Sequence, residues 1–557
     1  MEKYTIGIDF GSLSGRCILT NIRTGEEIAA NVFEYPHQVM SECLPGGTRL
    51  MVDWHLQHPQ DYLDVLSNTI PAVMKTAKVR PEQIIGIGVD FTSCTMLPIL
   101  KDGTPMCFLE KYKDEPNAYV KLWKHHSAQP WADRMTQTAI ERGEAFIYRY
   151  GGRISSEWMF PKIWQTLEEN PELYKETGAF IEAADWIVMI LTGKLIRNTA
   201  SAGAKACWHK RDGFPSKEYF RELDVRLENV IEEKFWGEVR SIGTRAGTLT
   251  KNAACLTGLL EGTAVATAHL DAHGATVGAK ITGPGEMLIM MGTSSCHELM
   301  GEKEELVPGI CGYVEDGIVP GYFGYEAGQS CVGDHFSWFI ENCLPEAYTS
   351  AAERAKKNIY EYLNELAEKK SVGESGLIAL DWWNGNRSVL ADGNLSGLLL
   401  GCTLLTKPED IYRALIEATA FGTRKIIETF IEYHVPVEKI IIAGGIAEKN
   451  PFIMQIYADV TGRMIEVAGS GQNAALSSCI WAAVAAGEER GGYGDVRKAA
   501  LVMGKRKDVK YVPDTENQKA YNKLYEEYVC LHDYFGRGTN QVMKRLKKYM
   551  NECRRKK

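Results

Sequence analysis

The same short pattern occurs once in each half of this sequence, and the repetition limits the folds that the chain can adopt. Residues 4–8 and 286–291 are apolar, β-rich runs, and each predicts a buried strand. Both runs lead into a glycine followed by hydroxyl side chains, which are Gly11, Ser12 and Ser14 in the first copy and Gly292, Thr293 and Ser294 in the second. Glycine lets main-chain N–H groups approach an anion, so the two turns predict a pair of phosphate loops. The alternative is that two unrelated domains use common turn chemistry.

The first copy also carries a carboxylate, Asp9, close to the turn. A carboxylate beside a phosphate site suits a Mg²⁺ ion that is held through water. We therefore expect Asp9 to be a water-mediated Mg²⁺ ligand.

Size and composition exclude several classes of protein. At 557 residues the chain is too long for a single core. Its net charge of −9 argues against general nucleic-acid binding, and no apolar run reaches the roughly 18 residues that span a bilayer. The 14 cysteines show no Cys-x-x-Cys spacing, which fits a reducing compartment, and the N-terminus lacks a signal-peptide pattern. We therefore expect a cytoplasmic protein.

Periodicity places secondary structure along both halves. The first half predicts a hairpin with strands near 17–20 and 28–35, a helix over 59–75, a strand over 84–89 and a helix-rich region over 118–234. The second half predicts a helix over 408–433, a strand over 439–442 and a helix over 450–461.

A glycine and proline cluster at 279–285 is typical of a domain boundary. We therefore predict two α/β domains, residues 1–279 and 280–557. Because each has one loop of the repeated type, the simplest arrangement is two domains that face a cleft and hold a nucleotide between them.

A second carboxylate, Asp271, follows the β-rich run 263–268 just before the boundary. A carboxylate on the floor of a cleft can accept the proton of a substrate hydroxyl during phosphoryl transfer. His269, Asp271 and His273 alternate, so a strand would put them on one face as metal ligands. We favour the base, because the rest of the chain suits Mg²⁺ and phosphate.

Three further segments contain residues that suit a polyol. Lys205 lies among small residues beside Trp208, although a lysine in a surface turn is the alternative. Glu326 is predicted to lie in a glycine-flanked loop, where it could bind sugar hydroxyls or be solvated. The small residues 92–95 let a ligand approach the main chain.

The paired glycines Gly444 and Gly445 suit an adenosine, because they clear space for a base or ribose. Asn450 could bind the base or cap the following helix. Other nucleotide sites and nucleophile sites are disfavoured. The sequence has no Gly-x-Gly-x-x-Gly that opens a helix, no P-loop motif and no Gly-x-Ser-x-Gly elbow.

Taken together, these segments resemble the FGGY carbohydrate kinases of the actin-like ATPase superfamily. Six motifs occur in the family's order, namely Asp9-Phe-Gly-Ser-Leu-Ser-Gly-Arg16, Lys162-Ile-Trp164-Gln, Asp271 at its strand end, Gly292-Thr293-Ser294, Asp410-Ile-Tyr-Arg-Ala-Leu-Ile-Glu417 and Gly444-Gly445. The resemblance implies two actin-like (ribonuclease H-like) domains that face an interdomain cleft.

The resemblance also implies roles for the residues. Asp271 would be the catalytic base, and Ser93 (through its main chain), Lys205, Asp271 and Glu326 would bind a 2-ketopentose. ATP would be held by Gly11, Ser12, Ser14, Gly292, Thr293, Ser294, Gly444, Gly445 and Asn450. Many relatives have hydroxyls where this chain has Leu13 and Gly15, so the first phosphate loop would rely more on main-chain N–H groups.

The expected reaction is transfer of phosphate from ATP to the terminal (C5) hydroxyl of a 2-ketopentose with Mg²⁺ as cofactor. L-ribulose, phosphorylated during L-arabinose catabolism, is the first candidate substrate. D-ribulose, D-xylulose and glycerol stay open, as does an actin-like ATPase without sugar kinase activity. A homodimer also stays open.

Overall fold

The computed structural model describes residues 2–555, and it builds both halves of the chain around sheets of the same design. The strands of the first half are β1 (Tyr4–Phe10), β2 (Ser14–Asn21), β3 (Glu27–Glu34), β4 (Leu56–Gln57), β5 (Ile84–Phe91), β6 (Met96–Ile99), β7 (Val120–Lys121), β8 (Ala179–Glu182), β9 (Ile196–Asn198), β10 (Glu238–Arg240), β11 (Arg245–Thr248), β12 (Ala264–Ala266) and β13 (His269–Leu270). Its helices are α1 (Pro59–Ala77), α2 (Gln129–Arg142), α3 (Met159–Glu169), α4 (Pro171–Glu176), α5 (Ala183–Thr192), α6 (Thr199–Ala206), α7 (Lys217–Leu223), α8 (Val230–Lys234), α9 (Lys251–Thr257) and α10 (Asp271–Gly278).

The second half continues in the same alternation of strands and helices. Its strands are β14 (Gly285–Met291), β15 (Ser295–Gly301), β16 (Gly312–Glu315), β17 (Phe323–Gln329), β18 (Ile378–Leu380), β19 (Leu398–Leu400), β20 (Val437–Ala443), β21 (Ile465–Ala468) and β22 (Arg506–Tyr511). Its helices are α11 (Gly333–Cys343), α12 (Glu346–Arg354), α13 (Ile359–Glu368), α14 (Pro408–Glu432), α15 (Gly445–Lys449), α16 (Pro451–Thr461), α17 (Asn473–Ala486), α18 (Val496–Met503), α19 (Thr515–Gly536) and α20 (Val542–Arg555).

Six strands of each central sheet occupy corresponding positions. The first has the order β11-β12-β5-β1-β2-β3, and the second has the order β22-β21-β20-β14-β15-β17-β16. In each sheet the repeated strand, β1 or β14, is antiparallel to the strand after the turn and parallel to the strand on its other side. This match confirms the prediction of two similar α/β domains, and it puts both repeated turns at equivalent positions.

One helix of each half packs against the sheet of the other. Helix α10 follows the last strand of the first sheet and contacts β5 and β13 there, and it also packs against β14 and β15 of the second sheet. Helix α17 follows β21 of the second sheet, yet it packs against β1, β5 and β12 of the first. The two helices also pack against each other, so their crossing joins the halves. One hydrophobic cluster therefore contains buried residues of both halves, among them Ile18, Leu288, Ile441 and Trp481.

Glycines on the first sheet allow α17 to approach it closely. A Cβ at Gly7, Gly86 or Gly88 would overlap a carbonyl oxygen of α17, because each of these glycines lies directly against the helix backbone. Because backbone cannot yield as a flexible side chain does, any larger residue at these positions must push the helix away from the sheet.

We expect Gly88→Ala to lower the free energy of unfolding by roughly 1–3 kcal/mol, because its methyl group would overlap the carbonyl oxygen of Ser478. Gly393→Ala is the matched control, since nothing lies within 4 Å of a Cβ there. Chemical denaturation of both variants measures the difference. If the two variants were equally stable, the packing of α17 on the first sheet would not require glycine at position 88.

Most predicted elements are confirmed. The hairpin corresponds to β2 and β3, and the predicted helices near 59, 408 and 450 correspond to α1, α14 and α16. The predicted strands over 84–89 and 439–442 correspond to β5 and β20. Among residues 2–555, none of the helices offers the long apolar stretch that crossing a bilayer would require.

One local prediction is wrong. Glu326 lies in strand β17 and not in a loop. Its flanking glycines serve close packing, because a Cβ at Gly324 would meet the Ile318 side chain at 2.6 Å and one at Gly328 would meet the Ser295 carbonyl oxygen at 2.5 Å. The strand before Asp271 ends at Leu270, and α10 begins at Asp271, where the helix dipole favours a carboxylate. The less favoured alternative, in which His269, Asp271 and His273 lie on one face of a strand as metal ligands, is therefore excluded.

Candidate active site

Three carboxyl groups meet at the carboxyl ends of parallel strands in the first sheet. Asp9 and Asp90 are register partners on β1 and β5, and β13, which leads into Asp271, pairs with β5 beside Asp90. Burial raises the pKa of all three carboxyl groups, and the charge of Asp9 raises those of Asp90 and Asp271 further. The sheet edge thus carries a compact acidic floor.

Asp271 has the properties of a general base. Its Oδ1 accepts a hydrogen bond from the Ala272 amide at 2.7 Å, which fixes the side chain at the start of α10. Burial and then the charge of Asp9 raise its pKa to about 7. The charge of Glu326 also raises this pKa, while Lys205 lowers it, so both residues lie within electrostatic reach of Asp271. A base with a pKa near neutral pH can accept a hydroxyl proton and later release it.

Lys205 and Glu326 form a buried ion pair that crosses between the halves. Lys205 lies on α6 and Glu326 on β17, and Lys205 Nζ is 3.1 Å from Glu326 Oε2. The other carboxylate oxygen of Glu326 accepts from the Arg387 guanidinium. Burial would raise the pKa of Glu326, but Lys205 and Arg387 hold it well below its ordinary value. The alternative of a surface turn around Lys205 is excluded, because this lysine is buried in a helix.

The loop that contains Ser93 is held in place by buried charged groups. Lys162 Nζ donates to the Cys94 carbonyl oxygen at 2.6 Å, and the Thr95 amide donates to Glu182 Oε2 at 2.9 Å. Cys94 has a φ of 59°, in the left-handed region. Ser93 itself is half-buried, so the residue lies in this fixed loop and is still partly exposed.

Each of the two predicted phosphate loops is closed by its glycine amide, which bonds the residue three positions on in the first loop and two positions on in the second. The Gly11 amide donates to the Ser14 carbonyl oxygen, and the Gly292 amide donates to the Ser294 carbonyl oxygen, both at 2.9 Å. These two N–H groups close the turns, so an anion would need other donors in the loops. Ser12 can supply one, because its Oγ accepts from Trp123 Nε1 at 3.1 Å and keeps its own proton to donate.

The predicted adenosine segment lies at the equivalent edge of the second sheet. Gly444 has a φ of 114°, and a Cβ there would overlap the Met291 carbonyl oxygen, so only glycine fits. Gly445 begins α15 and has open space within 4 Å of a Cβ. Asn450 caps α16, since its side chain accepts from the Ile453 amide at 3.2 Å. The segment therefore follows β20 directly beside β14 and its turn.

The structure adds Asp90 to the site, although no motif identified it. A signal was present, because Val89-Asp90-Phe91 repeats Ile8-Asp9-Phe10 at the end of a neighbouring strand. The rings of Phe10 and Phe91 stack with centroids 4.5 Å apart, which aligns the two strand ends. The repeated Asp-Phe dipeptide could therefore have identified Asp90 as well as Asp9 from the sequence.

The structure also places two further buried side chains, His273 and Glu298, beside Glu326. His273 Nε2 lies 3.4 Å from Glu298 Oε2 and from Glu326 Oε2. Burial and then the charge of Glu326 raise the pKa of Glu298 well above its ordinary value. Although these three side chains come within reach of one ion, Lys205 and Arg387 already supply positive charge there, which disfavours a cation.

Known proteins match this chain over nearly its whole length. A family model described as the N-terminal domain of the FGGY family of carbohydrate kinases matches residues 4–278, and one described as the C-terminal domain matches residues 287–486. A curated protein named Ribulokinase from Bacillus licheniformis is 55% identical over 540 residues, which cover 97% of this chain and 98% of that protein. A protein of the same name from Anoxybacillus flavithermus is 53% identical over 554 residues, which cover 99% and 98%.

Solved structures share the fold at lower identity. A gluconate kinase from Lactobacillus acidophilus matches with a TM-score of 0.79 and 18% identity, over 97% of this chain and 99% of that one. A xylulose kinase from Rhodospirillum rubrum matches with a TM-score of 0.78 and 20% identity, over 95% and 98%. These similarities confirm the predicted fold of two actin-like domains. The chain belongs to the FGGY family of carbohydrate kinases.

Proposed function

We propose that the chain transfers the γ-phosphate of ATP to the C5 hydroxyl of a 2-ketopentose, with L-ribulose as the preferred substrate. The observation that carries the proposal is Asp271, a half-buried base whose pKa is raised to about 7 and which lies within electrostatic reach of the buried Lys205–Glu326 pair. The curated relatives named Ribulokinase support the choice of sugar. D-ribulose and D-xylulose are the alternative substrates.

In this proposal the ketopentose binds between the two halves. Ser93 contacts it through the main chain, while Lys205 donates to a hydroxyl and Glu326 accepts from one. Asp271 takes the proton of the C5 hydroxyl as its oxygen attacks the γ-phosphate. Residues 1–279 form the domain with the base and most of the sugar contacts, and residues 280–557 form the nucleotide domain. Glu326 is the sugar contact that comes from the second domain.

The nucleotide is proposed to lie along both repeated turns. Its phosphates lie against the turn of Gly11, Ser12 and Ser14 on one side and that of Gly292, Thr293 and Ser294 on the other, with donors other than the Gly11 and Gly292 amides. Its adenosine end lies near Gly444, Gly445 and Asn450. Closure of the two domains around both substrates would exclude water and limit wasteful hydrolysis of ATP.

The residues around Asp9 fit a Mg²⁺ ion. Asp9 and Asp90 offer hard carboxylate oxygens, and within residues 2–555 Asp90 Oδ1 is buried without a hydrogen-bond partner. We propose that Asp9 holds the ion through water. When bound, Mg²⁺ would offset charge on the phosphates.

We also propose a cytoplasmic location, which the free state of all cysteines supports.

One coupled assay tests the function. ADP production is measured with ATP and Mg²⁺ over L-ribulose, D-ribulose, L-xylulose and D-xylulose, and glycerol is added as a non-ketose control. We expect the highest kcat/KM with L-ribulose. A faster reaction with D-xylulose or glycerol would contradict the proposed substrate. ADP production that no sugar stimulates would favour an actin-like ATPase without kinase activity.

A further inference from the structure

Helix α17 brings one hydroxyl group of the second half into contact with the acidic floor of the first. Ser478 lies on α17 and is fully buried, and its Oγ donates to Asp90 Oδ2 at 2.6 Å. The same Oγ lies 3.1 Å from Nε2 of His269, the first residue of β13. One side chain therefore joins two residues that belong to the other half.

Both partners of Ser478 are adjacent to groups of the proposed reaction. Asp90 is the register partner of Asp9. His269 precedes Asp271 by two residues, and its Nδ1 donates to the Leu270 carbonyl oxygen at 3.1 Å, immediately before α10 begins. A Cβ at Gly274 would overlap the His269 ring, so the ring is pressed against the first turns of α10. A shift of this ring would therefore displace the start of α10, where Asp271 lies.

The position of Ser478 is itself fixed. The backbone of α17 is seated against Gly7, Gly86 and Gly88 of the first sheet, which leaves no space for the helix to move inward. The neighbouring hydroxyl, that of Ser477, faces another partner. It accepts from the Gly278 amide at 2.9 Å and donates to the Asn473 carbonyl oxygen at 3.0 Å. The two serines are both fully buried, yet they differ in what they hold.

We propose that Ser478 is a positioning residue for the phosphoryl transfer, and this inference rests on the proposed kinase function. Its hydroxyl ties α17, which extends from the nucleotide domain, to Asp90 and to the segment that presents Asp271. Without the hydroxyl, the buried Asp90 carboxyl and His269 ring lose a shared partner and must rearrange. A displacement of about 1 Å at a reacting group can cost roughly 10²-fold in rate, so kcat falls while the sugar contacts remain.

The test compares Ser478→Ala with Ser477→Ala. Both remove one buried hydroxyl from the same helix, so their thermal stabilities should fall by similar amounts. We expect Ser478→Ala to lower kcat by roughly 10- to 100-fold with the KM values for ATP and ketopentose within about 3-fold of wild type. Ser477→Ala should keep kcat within about 3-fold. If Ser478→Ala does not fold, Ser478→Cys replaces it, since a thiol is slightly larger, leaves no cavity and is a weaker hydrogen-bonding group.

The outcomes separate this inference from the function on which it rests. Wild-type protein without sugar-stimulated ADP production refutes the kinase function itself. An active wild type with an equal loss of kcat in both serine variants means that Ser478 acts only through stability, and this overturns the inference. A folded Ser478→Ala or Ser478→Cys protein with wild-type kcat overturns it as well.

Discussion

Replacing Asp271 by asparagine is expected to lower kcat for ketopentose phosphorylation by roughly 10²–10⁴-fold. Asparagine keeps the size of the side chain and an oxygen that can accept from the Ala272 amide, but it cannot take the C5 proton. Steady-state kinetics with ATP and L-ribulose measure the loss. Asp508→Asn, on the exposed surface of β22, is the control and should keep wild-type kcat. Near-normal turnover of folded Asp271→Asn protein would refute the base.

The same role predicts how the rate depends on pH. Burial and the charge of Asp9 raise the pKa of Asp271 to about 7 in the folded protein. Only the ionised carboxylate can accept a proton, and its fraction falls as the pH drops through this pKa. We therefore expect kcat/KM to decrease about tenfold per pH unit below pH 7 and to level off above it. This acid limb should be absent from the residual activity of Asp271→Asn.

Replacing Lys205 by methionine is expected to lower kcat/KM for the ketopentose by roughly 10²-fold or more. The ammonium lies 3.1 Å from Glu326 in a buried pair, and its removal leaves the buried Glu326 carboxylate with less compensating charge, since only Arg387 of its two cationic partners remains. It also removes a proposed donor to the sugar. The KM for ATP should change little, because the proposed nucleotide contacts are elsewhere.

Lys210→Met is the matched control for Lys205→Met. Lys210 also reaches from the first half to the second, where its Nζ is 2.9 Å from Glu315 and 2.8 Å from Asp316. Its side chain is 46% exposed, so water already screens these pairs and their loss should change kcat/KM by no more than about 3-fold. If both variants lost kcat/KM equally, the loss would come from a weakened contact between the halves, and this would contradict a sugar site at Lys205.

Local pattern was sufficient to predict most of the scaffold. The apolar runs of β1, β5, β14 and β20 and the amphipathic helices α1 and α14 were found from periodicity, because each is determined by residues close in sequence. The repeated turns were found in the same way, and in the structure a glycine amide closes each of them with a hydrogen bond, although the bond spans three positions in the first turn and two in the second. The pattern failed at Glu326, where glycines resemble a loop but are required by close packing inside a sheet.

The sequence by itself determined a duplicated α/β chain with glycine–hydroxyl turns and acidic residues at strand ends, since these features depend on local periodicity and turn chemistry. Only the tertiary structure decided which side chains meet. It paired Lys205 with Glu326 across the halves, and it placed Ser478 of α17 against Asp90 and His269. It also raised the pKa of Asp271, because burial and the field of Asp9 exist only in the folded chain. These contacts join residues more than 100 positions apart, and local sequence patterns do not indicate which of such distant residues come into contact.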